Sequence, residues 1–175
     1  ATASWSYCRA MNFPFKIAVR DLLLVLATLG AWIIEPTTRH TSADPAGTAM
    51  QVAAGVMAGL CAVAAHEWGH YLGARAAGAV VYPARRVTAV FMFGFDRERN
   101  GRREFMAMSC GGFVASAAMI AWFVTRLPLD ALSGQVAMAF AAVGVLLTAT
   151  LELPVAWRVA HGAELPRGTV YVEGR

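Results

Sequence analysis

Charged residues are spaced so that four long stretches of this chain carry none. Residues 45–65 and residues 105–125 are uncharged runs of 21 positions each. A helix needs about 20 apolar residues to cross a bilayer core, so each run predicts a membrane span. Residues 131–151 give a third such run, and residues 22–34 give a shorter one of 13. Thirteen is short for a crossing. Extending that run back to residue 17 brings in Arg20 and Asp21, which then belong at the interface, with Arg20 reaching for the headgroups. The predicted spans are about 17–34, 46–77, 105–125 and 131–157.

The second span is rich in Ala and Gly, including Ala54, Gly55, Ala58 and Gly59. Small residues let helix backbones approach closely in a membrane bundle. Gly78 is a natural stop after it. Gly111-Gly112 near the start of the third span permits a close approach or a break. Residues 79–104 have a different character. Val80, Val81, Tyr82, Val87, Val90, Phe91 and Phe93 favour strands, and Asn100-Gly101 is a turn signal. One or two short strands or a hairpin beside the membrane are expected, ending in a charged tip at 96–103. An irregular basic loop is the other reading of this segment. The expected fold is an all-α polytopic membrane protein, residues 1–175 forming one domain. It has about four transmembrane helices and a membrane-associated hairpin or strand segment between the second and third.

Composition agrees with that pattern. Hydrophobic residues make up 58% and charged residues 15%, and mean hydropathy is +0.51. Soluble domains are nearer half apolar and a quarter charged. A net charge of +4 and a pI near 9.3 would suit nucleic-acid binding, but the cations cluster between apolar runs. That is membrane orientation, and no nucleic-acid partner is expected. Counted along the chain, the N-terminal segment and the three loops and tail carry 3, 1, 7, 1 and 3 Lys or Arg. The alternation fits four spans with both termini cytoplasmic, as in a bacterial inner membrane. No small-residue cleavage site follows the first run, which is therefore read as a retained span. Cys8, Cys61 and Cys110 are odd in number, and two lie in apolar runs, so they read as small buried hydrophobes and not as a disulfide framework.

Chemistry enters at His66-Glu67-Trp68-Gly69-His70. On a helix, residues four apart share a face, so His66 and His70 can bind one ion together. Neutral imidazole suits zinc. Glu67, one position round, can take a proton from a water held there. The bland alternative is two hydrogen-bonded histidines near a helix end with a solvated glutamate.

Catalytic zinc usually has three protein ligands. The second and fourth spans run in the same direction, and Glu152 stands about as far along its span as His66 and His70 stand along theirs. An ionisable residue inside a span is a functional candidate, so Glu152 is the nominated third ligand. A snorkelling interfacial carboxylate is the other reading. His161, nine residues on, is the rival ligand, or else an exposed interfacial His. Cys61 shares the ligand face poorly, His40 lies in the outer loop, Asp21 is on the short first span, and Asp96 is on the charged loop.

The chain resembles the site-2 protease family of intramembrane zinc metalloproteases. His66 to Arg75 resembles that family's first motif and the helix beyond it. Residues 80–104 resemble its strand-rich membrane-associated stretch. Residues 104–116 resemble its Gly-Pro-x-x-Asn region, here Gly112-Phe113-Val114-Ala115-Ser116, without Pro or Asn. The family's third ligand is an Asp of an Asp-Gly pair, which this chain lacks. His161-Gly162 matches that pair with His for Asp, whereas depth favours Glu152.

The resemblance implies a zinc-dependent endopeptidase that cuts peptide bonds in or near transmembrane segments of other membrane proteins. Its partners would be such a segment and the bilayer. The strand-prone stretch 80–95 would pair with an unwound substrate by strand addition. A non-catalytic membrane binding or escort protein that keeps the metal site is the alternative, motivated by the altered Asn and Asp positions. A metal transporter would need ionisable groups along the spans, whose middles have none.

Overall fold

The structure is a computed structural model that describes residues 14–38, 45–84, 86–89 and 91–166. The expectations for Cys8, Phe13, His40, Val90 and the tail beyond residue 166 fall outside that range.

Four helices are long and apolar enough to cross a membrane, at Phe15–Ile34, Pro45–Ala76, Arg102–Arg126 and Leu132–Ala160. They belong to α1 (Phe15–Thr38), α2 (Pro45–Ala76), α3 (Arg102–Arg126), α4 (Leu132–Leu147) and α5 (Leu153–Ala160). A two-stranded sheet, β1 (Val81–Pro83) and β2 (Phe93–Phe95), lies between α2 and α3. The expected all-α polytopic architecture with one small hairpin is what the chain adopts. Leu22, Leu23, Leu26, Leu29 and Ile33 of α1 all face outward. Exposed apolar rows of this kind suit lipid, where burial of hydrophobic surface no longer separates inside from outside.

Helix α2 is the centre of the bundle and packs against α1, α3 and α4. Its tightest crossing is with α3. A Cβ on Gly69 would strike the Gly111 carbonyl, one on Gly73 the Ala107 carbonyl, and one on Gly111 the Gly69 carbonyl. Glycine at these positions lets two backbones touch, which aligns the metal motif against the head of α3.

The first helix runs longer than the 17–34 expected, and its polar pair is engaged by other segments of the chain. The Arg20 guanidinium bonds Asp21 at 2.7 Å and donates to the Val87 and Ala89 carbonyls at 2.8 and 2.9 Å. Asp21 is buried and accepts the Trp68 indole N–H at 2.9 Å. So α1 is tied to both α2 and the segment after β1.

The hairpin is smaller than its strand-prone composition suggests. β1 and β2 are antiparallel, with Val81 opposite Phe95 and Pro83 opposite Phe93. Residues 86–88 turn instead of pairing. The carbonyls of Val87 and Ala89, which a longer ladder would use, go to Arg20. Asn100-Gly101 is not the hairpin turn either. The Asn100 amide accepts from the Val80 N–H at 2.7 Å and donates to the Val80 carbonyl at 2.8 Å, acting as one strand residue. Gly101 caps α3, and the Glu104 carboxylate accepts the Gly101 N–H at 2.9 Å. Beneath the sheet, Tyr71, Met92, Phe93, Phe95, Phe105 and Met108 form the main core.

The fourth span is interrupted. A π turn, Thr148–Glu152, joins α4 to α5, with the Leu153 N–H bonded to the Thr148 carbonyl. Pro154 supplies the reason. It has no N–H for the Thr150 carbonyl and its ring crowds that group, so the preceding turn widens. The span then continues to Ala160, beyond the expected 157.

Candidate metal centre

Two chain segments converge in the C-terminal third of α2. His66 and His70, one turn apart, present their imidazoles edge to face, with centroids 4.4 Å apart. Glu152 arrives from the π turn. Its Oε1 lies 3.3 Å from His66 Nε2 and its Oε2 lies 3.4 Å from His70 Nε2. The two Nε2 atoms are 2.9 Å apart. Among the described residues this is the group of His, Cys, Asp and Glu whose ligand atoms fall within 4.8 Å of one another.

The outer ring nitrogens fix what the inner ones can be. His70 Nδ1 faces the Met108 carbonyl at 2.9 Å. A carbonyl only accepts, so Nδ1 carries a proton; in the neutral ring Nε2 then turns a lone pair inward. His66 Nδ1 faces the Gly112 carbonyl at 3.1 Å and the Ser116 hydroxyl at 2.8 Å, which gives the same tautomer. In the neutral rings two lone pairs stand 2.9 Å apart with a carboxylate beside them, a repulsion that a proton or a metal cation between them relieves. Zinc–nitrogen bonds of about 2.0 Å at tetrahedral angles separate ligand atoms by about 3.3 Å, close to the spacing found. The donor set and its supporting hydrogen bonds therefore fit a zinc ion.

Glycine makes room for this centre. A Cβ on Gly112 would run into the His70 ring, so only glycine lets α3 close over that imidazole. Side chains of His70 and Glu152 are 2% and 15% exposed. Glu67 is also buried. With both carboxyls ionised and both imidazoles neutral, the site would be negative within an apolar bundle, a charge that a divalent cation would neutralise.

The cluster opens on a cavity of about 480 Å³. Glu67, His66, His70 and Glu152 all line it. Phe91 from the hairpin, Met119 and Ile120 from α3, and Phe140, Gly144 and Leu151 from the fourth span line the rest.

The other sequence candidates stand elsewhere. His161 donates Nδ1–H to the Trp157 carbonyl at 2.8 Å, lies 4.1 Å from the Trp157 ring by centroids, and is exposed. Cys61 pairs with the Thr28 hydroxyl at 3.2 Å. Asp21 is taken by Trp68 and Arg20. Sequence reasoning did not assign Ser116 a part in the centre, nor the Met108 and Gly112 carbonyls. Ser116 was legible only as the position where a family Asn is replaced, and carbonyls leave no trace in sequence. No family model, curated protein or solved structure matches this chain.

Proposed function

We propose that this chain is a zinc-dependent endopeptidase of membranes, similar to the site-2 proteases, acting on peptide bonds in or beside transmembrane segments of other proteins. The observation that carries the reading is the convergence of His66 Nε2, His70 Nε2 and the Glu152 carboxylate with Glu67 on the same cavity wall. A ligand triad with an adjacent carboxylate is the constellation of metal-assisted hydrolysis.

His66, His70 and Glu152 would hold the ion. Zinc, when bound, supplies Lewis acidity that activates water and polarises a carbonyl. Glu67 takes the proton from the attacking water and passes it to the leaving amine as the C–N bond breaks. Ser116, Gly112 and Met108 orient the two imidazoles. Helical substrate bonds are protected internally, so the target segment must unwind locally before cleavage. The alternating Lys and Arg counts support cytoplasmic termini, and a bacterial inner membrane is the natural setting.

The test is cleavage of labelled transmembrane peptides by purified protein in lipid, wild type against Glu67→Gln. Cleavage lost in the variant and on zinc chelation is the expected result. Zinc binding without cleavage, and full biological effect from Glu67→Gln, would favour the alternative of a non-catalytic binding or escort protein. Phe113, Ser116 and the absence of an Asp-Gly pair are what give that alternative weight.

A further inference from the structure

The cavity runs well past the metal centre, and its walls change character as it does. Along α2 it is lined from His70 and His66 back through Val63 and Ala62 to Gly59. His66 to Gly59 is seven positions, about 10 Å of helix at 1.5 Å per residue. An extended chain covers that length with about three residues. Beyond Ser116 and Thr148 this arm is apolar, with Met119, Ile120, Phe140 and Val145 facing it. The ionisable groups in the cavity lining are those of the centre itself.

Gly144 forms part of the far wall. Ala137 and Ala141 are buried, and Gly144 and Thr148 follow on the same face at half burial. This stripe is the inward face of α4 and leads to Glu152. The α2 glycines that face α4 are packed, so that a Cβ on Gly55 or Gly59 would strike Val136 or Phe140. A Cβ on Gly144 would meet nothing within 4 Å. Gly144 is therefore not needed for helix contact. Its missing side chain leaves volume to the cavity.

We infer that this arm is a substrate subsite, taking about three uncharged, apolar residues to one side of the cleaved bond, and that Gly144 sets the size of side chain it admits. The inference rests on the peptidase reading for its occupant. Continuity supports that occupant, since the arm ends on Glu67, His66 and Glu152 with no wall between. A charged side chain would lose its hydration there with no partner to replace it. Leucine or phenylalanine would fill the space beside Gly144, and alanine would leave it partly empty.

The experiment measures binding apart from cleavage. Zinc-loaded Glu67→Gln protein in nanodiscs is titrated with two fluorophore-labelled peptides of 20 residues, one Leu-rich and one Ala-rich, and with a labelled phospholipid. The Leu-rich peptide is expected to bind more tightly. Adding Gly144→Leu is expected to weaken that binding by about tenfold and to leave the Ala-rich peptide nearly unchanged. Gly144→Ala, the milder variant, should give an intermediate shift, and unchanged zinc content reports that the bundle is intact. Equal affinities with and without the Gly144 substitutions would overturn the inference. So would phospholipid binding that alone responds to them, since the arm would then be an acyl-chain site. Cleavage by the Glu67 form is scored separately. Gly144-dependent peptide binding without cleavage would retire the peptidase reading and leave the apolar subsite standing.

Discussion

Glu152 meets His66 across 86 residues of chain, with Oε1 at 3.3 Å from Nε2. The pair joins the fourth span to the His-Glu motif and sets the Glu152 carboxylate beside both imidazoles, where the proposed zinc site needs its third ligand. Glu152→Gln keeps the shape and one acceptor but removes the charge. Zinc affinity, followed by competition with a chromogenic chelator, should fall at least about tenfold, and further for Glu152→Ala. His161→Ala should leave it unchanged. The reverse ranking would return the third ligand to His161.

Pro154 acts on the same carboxylate without touching it. The π turn at Thr148–Glu152 exists because Pro154 cannot complete an α-helical bond there. Pro154→Ala permits a regular helix, which rotates Glu152 relative to the stripe Ala141, Gly144, Thr148. Zinc affinity should drop although every ligand remains, while helicity by circular dichroism holds or rises. Unaltered affinity would mean that the turn is incidental to the centre.

The parts legible in sequence were those that local rules govern. Span positions follow from the uncharged runs, and the shared face of His66 and His70 follows from the 3.6-residue repeat. Even the remote Glu152 was placed by depth, because two spans running in one direction bring like positions together. The hairpin was legible only at its ends. Val87 and Phe91 favour strands by type, but Arg20, 67 residues before Val87, takes the carbonyls that a ladder needs. Asn100 closes a turn, as its type suggests, with its N–H on the Asp96 carbonyl, but its side-chain pairing with Val80 is a tertiary contact that sequence does not show. The Gly69, Gly73 and Gly111 crossing required knowing which faces meet.

Gly112 offers a steric test of the centre. Its missing side chain is what admits the His70 imidazole. Gly112→Ala forces a shift of the ring or of α3, costing about 1–3 kcal/mol of overpacking. Loss of zinc and a lowered thermal midpoint are expected together. Gly144→Ala, which meets open space, should leave both near wild type and serves as the comparison.

Arg20 is expected to govern the order of the segment between the strands. Its guanidinium holds two carbonyls there, and each bond to a charged donor is worth about 1.5–3 kcal/mol when buried and less at this half-exposed site. Arg20→Ala should speed hydrogen exchange across residues 84–92 while leaving α3 protected. Arg20→Lys, with one ammonium for the same carbonyls, should recover part of the protection. Exchange that does not change in Arg20→Ala would show that β1 and β2 hold the segment unaided.

Asp96 makes the stability of this same face pH-dependent. Burial works to raise its pKa, but the Tyr82 hydroxyl, the Arg99 and Glu98 backbone N–H groups and the Arg99 charge outweigh it and hold the carboxyl below its usual 3.8. The hydroxyl donates at 2.8 Å and the two N–H groups at 3.2 and 3.0 Å. A carboxyl whose folded pKa is depressed stabilises the fold above its unfolded value, and that contribution is lost as pH falls through the folded value. Wild type should therefore unfold at a higher temperature than Asp96→Asn near pH 7, and the gap should close in acid, below the ordinary carboxylate range. Tyr82→Phe removes one donor and moves the folded pKa back toward 3.8. Its gap over Asp96→Asn should be smaller near pH 7 and should begin to close at a higher pH than in wild type. A gap independent of pH would mean that Asp96 contributes through packing and not through its charge.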